Sequence, residues 1–169
     1  MKFYTIYPSE NVNPDFSFDV KSRQEKIIDF FKFDEDTGFS KYPVINLTFD
    51  DDLKTEINLI LKTDFYFSSS GILLFSQDFL DKVKNEIEKE CNFYRCEING
   101  QVSNIYAMHI INKKKLLETN NTINKNINQD DFFICKDISM PYFYLITEKF
   151  VNMVKEKKLK MNFLEYSEK

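Results

Sequence analysis

The sequence predicts an α+β fold, in which a mixed or antiparallel sheet carries a few short helices. One observation is that apolar runs of strand length are followed by stretches such as 79–87, where apolar residues recur at helical period. Another is that Asn99-Gly100 separates two apolar runs. Because both residues accept the positive φ of a type I′ turn, these runs should form a β-hairpin. Together, the two signals place strands on both sides of a helix in the middle of the chain.

The middle of the chain, residues 72–111, should form a strand, a helix and the two strands of the hairpin. Residues 72–75 are an apolar strand, and Ser76 follows at the N-cap position, where its side-chain oxygen can accept a free backbone N–H. The helix should bury one apolar stripe. Since 105–111 is apolar on both faces, the last strand should be central in the sheet and covered on both sides.

A similar order of elements occurs near the C-terminus. A strand at 142–146 precedes Thr147 as the cap, an apolar stripe follows at helical spacing, and 161–166 is again strand-like. Aligning Ser76 with Thr147 places Phe79 on Phe150, both 71 residues apart. Two explanations remain open: a chance recurrence of a common arrangement, or an internal repeat of strand-helix-strand units at 72–111 and 142–166.

The N-terminal part contains shorter elements. Residues 2–7 predict a strand that Pro8 stops, and 16–20 and 44–49 predict two further short strands. Residues 27–33 are dense in aromatic side chains and fit either a short helix or a strand. Residues 53–61 carry a helix-like apolar stripe.

Two connections stand out beside these elements. Residues 34–38 form an acidic loop that ends at a glycine. Residues 112–130 form a long polar connection, which should be functional or disordered unless a short helix lies within it. A strand should resume at 132–135.

The length of 169 residues fits a single domain, 1–169, and an apolar content of 43% is enough for a packed core. The net charge of −4 is unevenly distributed. Residues 1–70 contain 13 acidic and 8 basic residues, whereas 71–169 contain 14 acidic and 15 basic ones. We therefore expect an acidic N-terminal part, 1–70, and a nearly neutral core, 71–169, with any acidic surface coming from the first part.

Charge and composition restrict the function. The net negative charge argues against a general nucleic-acid binder, which needs a basic face to neutralise phosphates, so we expect no nucleic-acid partner. No run approaches the roughly 18 apolar residues of a membrane span, and the N-terminus does not have the pattern of a signal peptide, so we expect a cytoplasmic protein with no membrane partner. Cys91, Cys96 and Cys135 should be reduced, structural thiols. A homo-oligomer remains open.

Common catalytic and metal-binding motifs are absent from the sequence, so we predict no catalytic set, no metal and no cofactor. The one histidine, His109, lies among apolar neighbours, which favours a core or edge position over a ligand. Two acidic clusters lack the spacing of a calcium loop and are either solvated loop charges or a surface for a protein partner. The second interpretation makes these the candidate partner-binding residues: Asp34, Glu35, Asp36, Asp50, Asp51 and Asp52.

Four stretches together resemble a known group of proteins. They are Phe3-Tyr4-x-Ile6-Tyr7-Pro8, Ile72-Leu73-Leu74-Phe75-Ser76-x-x-Phe79-Leu80, Tyr106-Ala107-Met108-His109-Ile110-Ile111 and Tyr144-Leu145-Ile146-Thr147-Glu148-Lys149-Phe150. The combination is similar to the immunity proteins of bacterial polymorphic toxin systems, in particular a large α+β group long filed as a domain of unknown function. The resemblance covers about residues 1–8 and 64–166. It rests on hydrophobic patterns, and the tryptophan often seen in the N-terminal part of such proteins is missing.

The resemblance implies a protein that binds a cognate toxin and blocks it, rather than an enzyme. A preformed surface with a few anchor residues and complementary charge would serve that role. Two alternatives remain: a small enzyme that uses Asp and Glu as acid–base groups, and a scaffold protein without a small ligand.

Overall fold

The structure is a computed structural model that describes residues 2–12, 16–21, 24–49, 62–118 and 122–167. These residues form an α+β fold, as predicted, with three short helices and eleven strands. The predicted helix at 53–61 lies outside them. The strands are β1 (Phe3–Pro8), β2 (Asp19–Lys21), β3 (Ile45–Thr48), β4 (Phe65–Tyr66), β5 (Leu73–Ser76), β6 (Cys91–Ile98), β7 (Gln101–Ile110), β8 (Lys113–Lys114), β9 (Ile134–Asp137), β10 (Tyr144–Thr147) and β11 (Met161–Glu165).

The helices are α1 (Gln24–Ile28), α2 (Gln77–Ile87) and α3 (Glu148–Glu156). A π-helical turn at Asp29–Phe33 continues α1, which decides between the two interpretations of 27–33. Consecutive residues of a strand point to opposite faces, whereas this turn buries both Phe30 and Phe31.

The strands form two sheets, which are mixed. The first has the order β2-β3-β6-β7-β5-β4, and the second has the order β11-β1-β10-β9-β8. All neighbours are antiparallel except for β3 with β6 and β8 with β9. The central position predicted for the second hairpin strand is confirmed, because β7 lies between β6 and β5.

The local signals around α2 are also confirmed. The hydroxyl oxygen of Ser76 accepts a hydrogen bond from the backbone N–H of Phe79 at 3.0 Å, as an N-cap does. At the hairpin, Asn99 and Gly100 have φ values of 51° and 78°, as a type I′ turn requires.

The prediction for Thr147 is right in position and wrong in mechanism. The residue precedes α3, but its side chain makes no capping hydrogen bond to the helix. Its hydroxyl donates instead to the carbonyl oxygen of Phe132 at 3.0 Å. The side chain is fully buried beside that neighbouring segment, so the hydroxyl is used for a tertiary contact.

The two predicted repeats belong to two larger units with the same sheet order. The first unit consists of β4, β5, α2, β6 and β7, and the second consists of β9, β10, α3, β11 and β1. Their strand orders, β6-β7-β5-β4 and β11-β1-β10-β9, correspond one to one. In each unit the helix connects two parallel strands that are separated by an antiparallel middle strand. That middle strand is β7 in the first unit and the N-terminal β1 in the second.

The register of the middle strands, β7 and β1, supports the correspondence of the two units. It does so in the pairing with each of the two flanking strands. Ser76 pairs with Ile105, and its counterpart Thr147 pairs with Phe3. On the other side, Cys91 pairs with Ile110, and its counterpart Met161 pairs with Pro8. Both comparisons align β7 with β1 in the same register, 102 residues apart. Chance recurrence of a strand, helix and strand would not also align the middle strands, so the structure favours an internal repeat.

The two units share one hydrophobic core, which contains the apolar faces of both helices. Phe79 and Phe150, the aligned residues, contact each other within it, with ring centroids 6.2 Å apart. Each sheet has a second apolar cluster on its other face. Residues of the 16–47 segment cover the first sheet, and Leu116, Leu117 and Ile127 of the long connection cover the second. That connection therefore contributes to the core, and its short helical element is a 3₁₀ turn at Gln129–Asp131. The three cysteines are buried and free.

Candidate functional site

The predicted site residues fall into three different environments. Residues 50–52, the second acidic cluster, lie outside the described parts of the chain. Glu35 is exposed. Asp36 is also exposed, and its carboxylate accepts hydrogen bonds from the backbone N–H groups of Gly38 and Ser40 at 3.1 and 3.2 Å. Those bonds stabilise its own loop and leave the charge on the surface.

Asp34 lies at the junction of the two sheets. Its Oδ1 atom is 2.7 Å from both His109 Nε2 and Lys136 Nζ, and its Oδ2 atom is 2.6 Å from Lys113 Nζ. His109 belongs to β7 of the first sheet, whereas Lys113 and Lys136 belong to β8 and β9 of the second. One carboxylate therefore bridges the sheets. Asp34 has a φ of 60°, the left-handed conformation that ends the preceding π-helical turn.

Burial and pairing act in opposite directions on this network. Burial raises the pKa of Asp34, but the hydrogen bonds from Lys113, Lys136 and His109 outweigh it, so the pKa lies below the ordinary value. Burial lowers the pKa of Lys136, whose side chain is 2% exposed, and Asp34 opposes that shift. The carboxylate thus keeps a buried ammonium group charged.

His109 in this network is best described as neutral. Burial lowers its pKa, and the rings of Phe30 and Phe31 pack against the imidazole at 4.5 and 5.6 Å. Its Nδ1 atom is buried and has no hydrogen-bond partner in the described parts of the chain. A proton on that atom would be an unsatisfied donor, so the neutral tautomer with its proton on Nε2, donated to Asp34, fits the site.

The two ammonium groups of the network are bound within the protein. Besides Asp34, the ammonium group of Lys136 reaches the carbonyl oxygens of Lys32 and Phe31 at 3.3 and 3.5 Å. Every cationic group around Asp34 already has this carboxylate as partner, so Asp34 serves as a clamp and not as a free acid or base. The clamp holds the segment after α1 against both sheets.

A different feature has the shape of a binding site. A groove of about 560 Å³ lies between α3, the end of α2 and the 3₁₀ turn at Gln129–Asp131. Phe133 and Met153 provide apolar walls. The groove is lined by four acidic side chains, which are Glu86, Asp130, Glu148 and Glu156.

Two lysines also line the groove, and both are engaged by the protein itself. Lys157 Nζ forms an ion pair with Glu86 at 2.6 Å, and that hydrogen bond lowers the pKa of Glu86. Lys149 donates to the carbonyl oxygen of Asp130 at 3.3 Å, and its ammonium group lies 4.2 Å from the ring centroid of Phe133.

Three carboxylates of the groove have no direct ion-pair partner among the described residues, and the electrostatic effect of Glu148 reaches Lys2. In the parts of the chain that the structure describes, the side chains of Asp130, Glu148 and Glu156 form no hydrogen bond or ion pair. Gln129 Oε1 is also buried at the groove and accepts no hydrogen bond from those parts. Among the described residues that line the groove, carboxylates therefore outnumber ammonium groups by four to two.

The groove has little signal in the sequence. The charge distribution predicts an acidic surface from residues 1–70, whereas all four carboxylates of the groove belong to 71–169, where acidic and basic residues nearly cancel. The cancellation hides the local imbalance, because the fold collects carboxylates from α2, α3 and the 3₁₀ turn on one surface. Only the carboxylates of α3 have a sequence signal, since Glu148 and Glu156 lie two helical turns apart.

Comparisons with known proteins assign no family: no family model matches the chain, and no curated protein matches it significantly. Among the described residues, no helix is both long and apolar enough to cross a membrane. In the same residues, no three His, Cys, Asp or Glu side chains are placed to hold a metal ion.

Proposed function

We propose that this protein is a cytoplasmic immunity protein, which binds one cognate bacterial toxin and neutralises it. The resemblance described above motivates the proposal. The observation that carries it is the groove beside α3, an open surface with unpaired charge on a frame of packed helices and sheets. A tight inhibitor works through such a preformed surface, because little entropy is then lost on binding.

The acid–base enzyme alternative would need two carboxylates that converge on one reacting position. Asp34, the most buried of the described members of the predicted clusters, is already engaged by Lys113, Lys136 and His109. Its place in the proposed function is to hold the 34–41 segment in position. Glu35, Asp36 and residues 50–52 act in the contact or in its electrostatic approach, where charges mainly affect the association rate.

Co-expression tests the proposal. The protein is produced together with the toxin encoded beside its gene, and survival and complex formation are measured. We expect protection and a stable complex, with slower and less salt-dependent association when Glu35 and Asp36 are changed to Lys. Failure of the wild-type protein to bind the toxin or to protect would contradict the proposal. The variant Glu25→Lys, with a charge reversal on α1, is the control for a general charge effect.

A further inference from the structure

We propose that the groove beside α3 holds a lysine or arginine side chain of a partner protein. That the partner is a toxin rests on the proposed function, whereas the basic chemistry of the contact rests on the groove itself. The docking surface then includes the core part of the chain, 71–169, in addition to the N-terminal acidic loops.

The charges of the groove select a cation. Lys157 is ion-paired with Glu86, and Lys149 keeps its charge because its hydrogen bond goes to a neutral carbonyl oxygen. The four carboxylates and two ammonium groups that line the groove therefore leave a net charge of −2, so an arriving ammonium or guanidinium group would find an excess of acceptors among the described residues. A cation with several donors matches such a set, and a guanidinium group matches carboxylates especially well.

The walls and volume select a side chain over a metal ion. A divalent metal needs several oxygen ligands around one point, and the described residues contain no such group of acidic side chains. The groove, at about 560 Å³, has room instead for a long side chain. Phe133 and Met153 can pack against the methylene groups of lysine or arginine while the charged end reaches the carboxylates.

Gln129 provides an independent indication. Its Oε1 atom is buried without a donor from the described residues, which is unfavourable in the free protein. Because that atom is closed off from solvent in the free protein, a bound guanidinium or ammonium group would satisfy it once the side chain turns toward the groove. Replacement by an apolar residue of similar size should therefore favour the free protein and weaken the complex.

The test uses two capped hexapeptides, one of alternating arginine and glycine and one of alternating glutamate and glycine. Each is titrated into the protein, and backbone amide chemical shifts are followed. We expect the arginine peptide to shift the amides of α3 and of residues 129–133, and the glutamate peptide to leave them unchanged. An arginine peptide that shifts no amide of the groove would overturn the proposal.

Two matched variants separate the groove from net charge. Glu148→Lys combined with Glu156→Lys should weaken binding of the arginine peptide by about tenfold or more, because two acceptors become repulsive. Asp19→Lys combined with Glu25→Lys makes the same change in net charge on exposed positions of β2 and α1, and should change affinity less than about twofold. Equal losses in both variants would show a general charge effect and contradict the proposal.

Gln129→Leu gives a readout that does not depend on charge. We expect it to keep or raise the melting temperature and to weaken binding of the arginine peptide by roughly threefold or more. Unchanged affinity would remove Gln129 from the contact. Peptide binding in the groove without protection against the toxin would contradict the proposed function alone, and protection that the groove variants leave intact would contradict the groove alone.

Discussion

At one junction between the sheets, β7 of the first unit lies beside β9 of the second, and at the other, β1 lies beside β4. The register of the two units places His109 at the position of Tyr7 and Lys136 at that of Phe67. The carboxylate of Asp34 joins His109 to Lys136, whereas the rings of Tyr7 and Phe67 meet edge to face, 5.6 Å apart. Equivalent junctions of one frame are thus built from charges in one case and from aromatic rings in the other.

The two junctions also differ in the length of the chain that connects their strands. Between β1 and β4 the chain has residues 9–64, whereas between the equivalent β7 and β9 it has only 111–133. Asp34 comes from the longer connection, so the charged junction also ties down a segment that the second unit lacks. The shared core determines how the two units pack together, whereas the side chains at each junction differ with the segment that packs beside it.

The turns after α2 and α3 also make equivalent contacts with different residues. The carboxylate of Glu90, after α2, accepts hydrogen bonds from the backbone N–H groups of Phe133 and Ile134 at 3.0 and 2.8 Å. After α3, the backbone N–H of Lys160 donates to the carboxylate of Asp64 at 2.6 Å. Each turn therefore binds the first strand of the other unit, with the carboxylate on the turn in one case and beside the strand in the other.

Removal of the aligned core rings should have the largest effect. Phe79→Ala and Phe150→Ala should each lower the free energy of unfolding by about 3–5 kcal/mol, because both side chains are fully buried. Urea unfolding measures the losses. The double variant should lose less than their sum, since the rings touch and the cavities merge. Phe33→Ala, at a position 48% exposed, is the control, and losses that differ strongly between Phe79 and Phe150 would argue against equivalent roles.

Removal of the Asp34 carboxylate should have the second largest effect on stability. Asp34→Asn should cost about 3 kcal/mol, because Lys136 would remain buried without its counter-ion. Asp34→Asn combined with Lys136→Met should recover most of that loss. Urea unfolding of both variants and of the wild type makes the comparison, and a double variant as unstable as Asp34→Asn would exclude the buried charge as the cause.

The pH dependence of the same variant has a defined sign. Because the folded pKa of Asp34 lies below its usual value of 3.8, its contribution to stability is present above that value and is lost as the pH falls through the lowered pKa. The stability difference between wild type and Asp34→Asn should therefore be full near neutral pH and shrink in acid. A constant difference across this range would contradict the ionised clamp.

At the aromatic junction the effect should be smaller and independent of pH. A double-mutant cycle of Tyr7→Ala and Phe67→Ala should give a coupling of about 0.5–1.5 kcal/mol, as for other edge-to-face pairs. Unfolding at low and high salt checks it. A coupling that salt removes would show that this junction is electrostatic after all.

The smallest effect concerns the two helix starts. Ser76→Ala should cost about 1 kcal/mol or more, because it removes the cap and also the hydrogen bond that the hydroxyl donates to Asp64, and loss of the cap should accelerate hydrogen exchange at the Phe79 amide. Thr147→Val removes only a hydroxyl that bonds to Phe132, so the first-turn amides of α3 should exchange as in wild type. Faster exchange at those amides in Thr147→Val would show that the Thr147 side chain does cap α3.

The sequence predicts those features whose interacting residues lie close together along the chain. The hairpin at Asn99-Gly100 and the helix after Ser76 have signals within a few residues, and both were predicted. The middle strand of the second unit was not assigned, because β1 precedes its neighbours by more than 130 residues. Periodicity carries no information on such a pairing.

The sites show the same limit. Asp34 was selected for its charge, but its partners His109 and Lys136 lie far along the chain, so its role as a clamp had no local signal. The acidic groove was missed because its carboxylates come from three separate elements. Residue type suggested chemistry at both places, and only the fold determined which groups face each other.

Circular permutation tests most directly whether the protein consists of two equivalent units. Tyr166 N donates to Phe3 O at 2.8 Å, so the end of β11 lies beside the start of β1, as the end of β6 lies beside the start of β7. A permutant opened between Ser9 and Glu10, with residue 169 joined to residue 1 by a short glycine-rich linker, gives the second unit its own hairpin. We expect it to fold with a free energy of unfolding within about 1 kcal/mol of wild type, while deletion of residues 1–9 abolishes folding. A permutant that does not fold, or a deletion variant that does, would contradict the account.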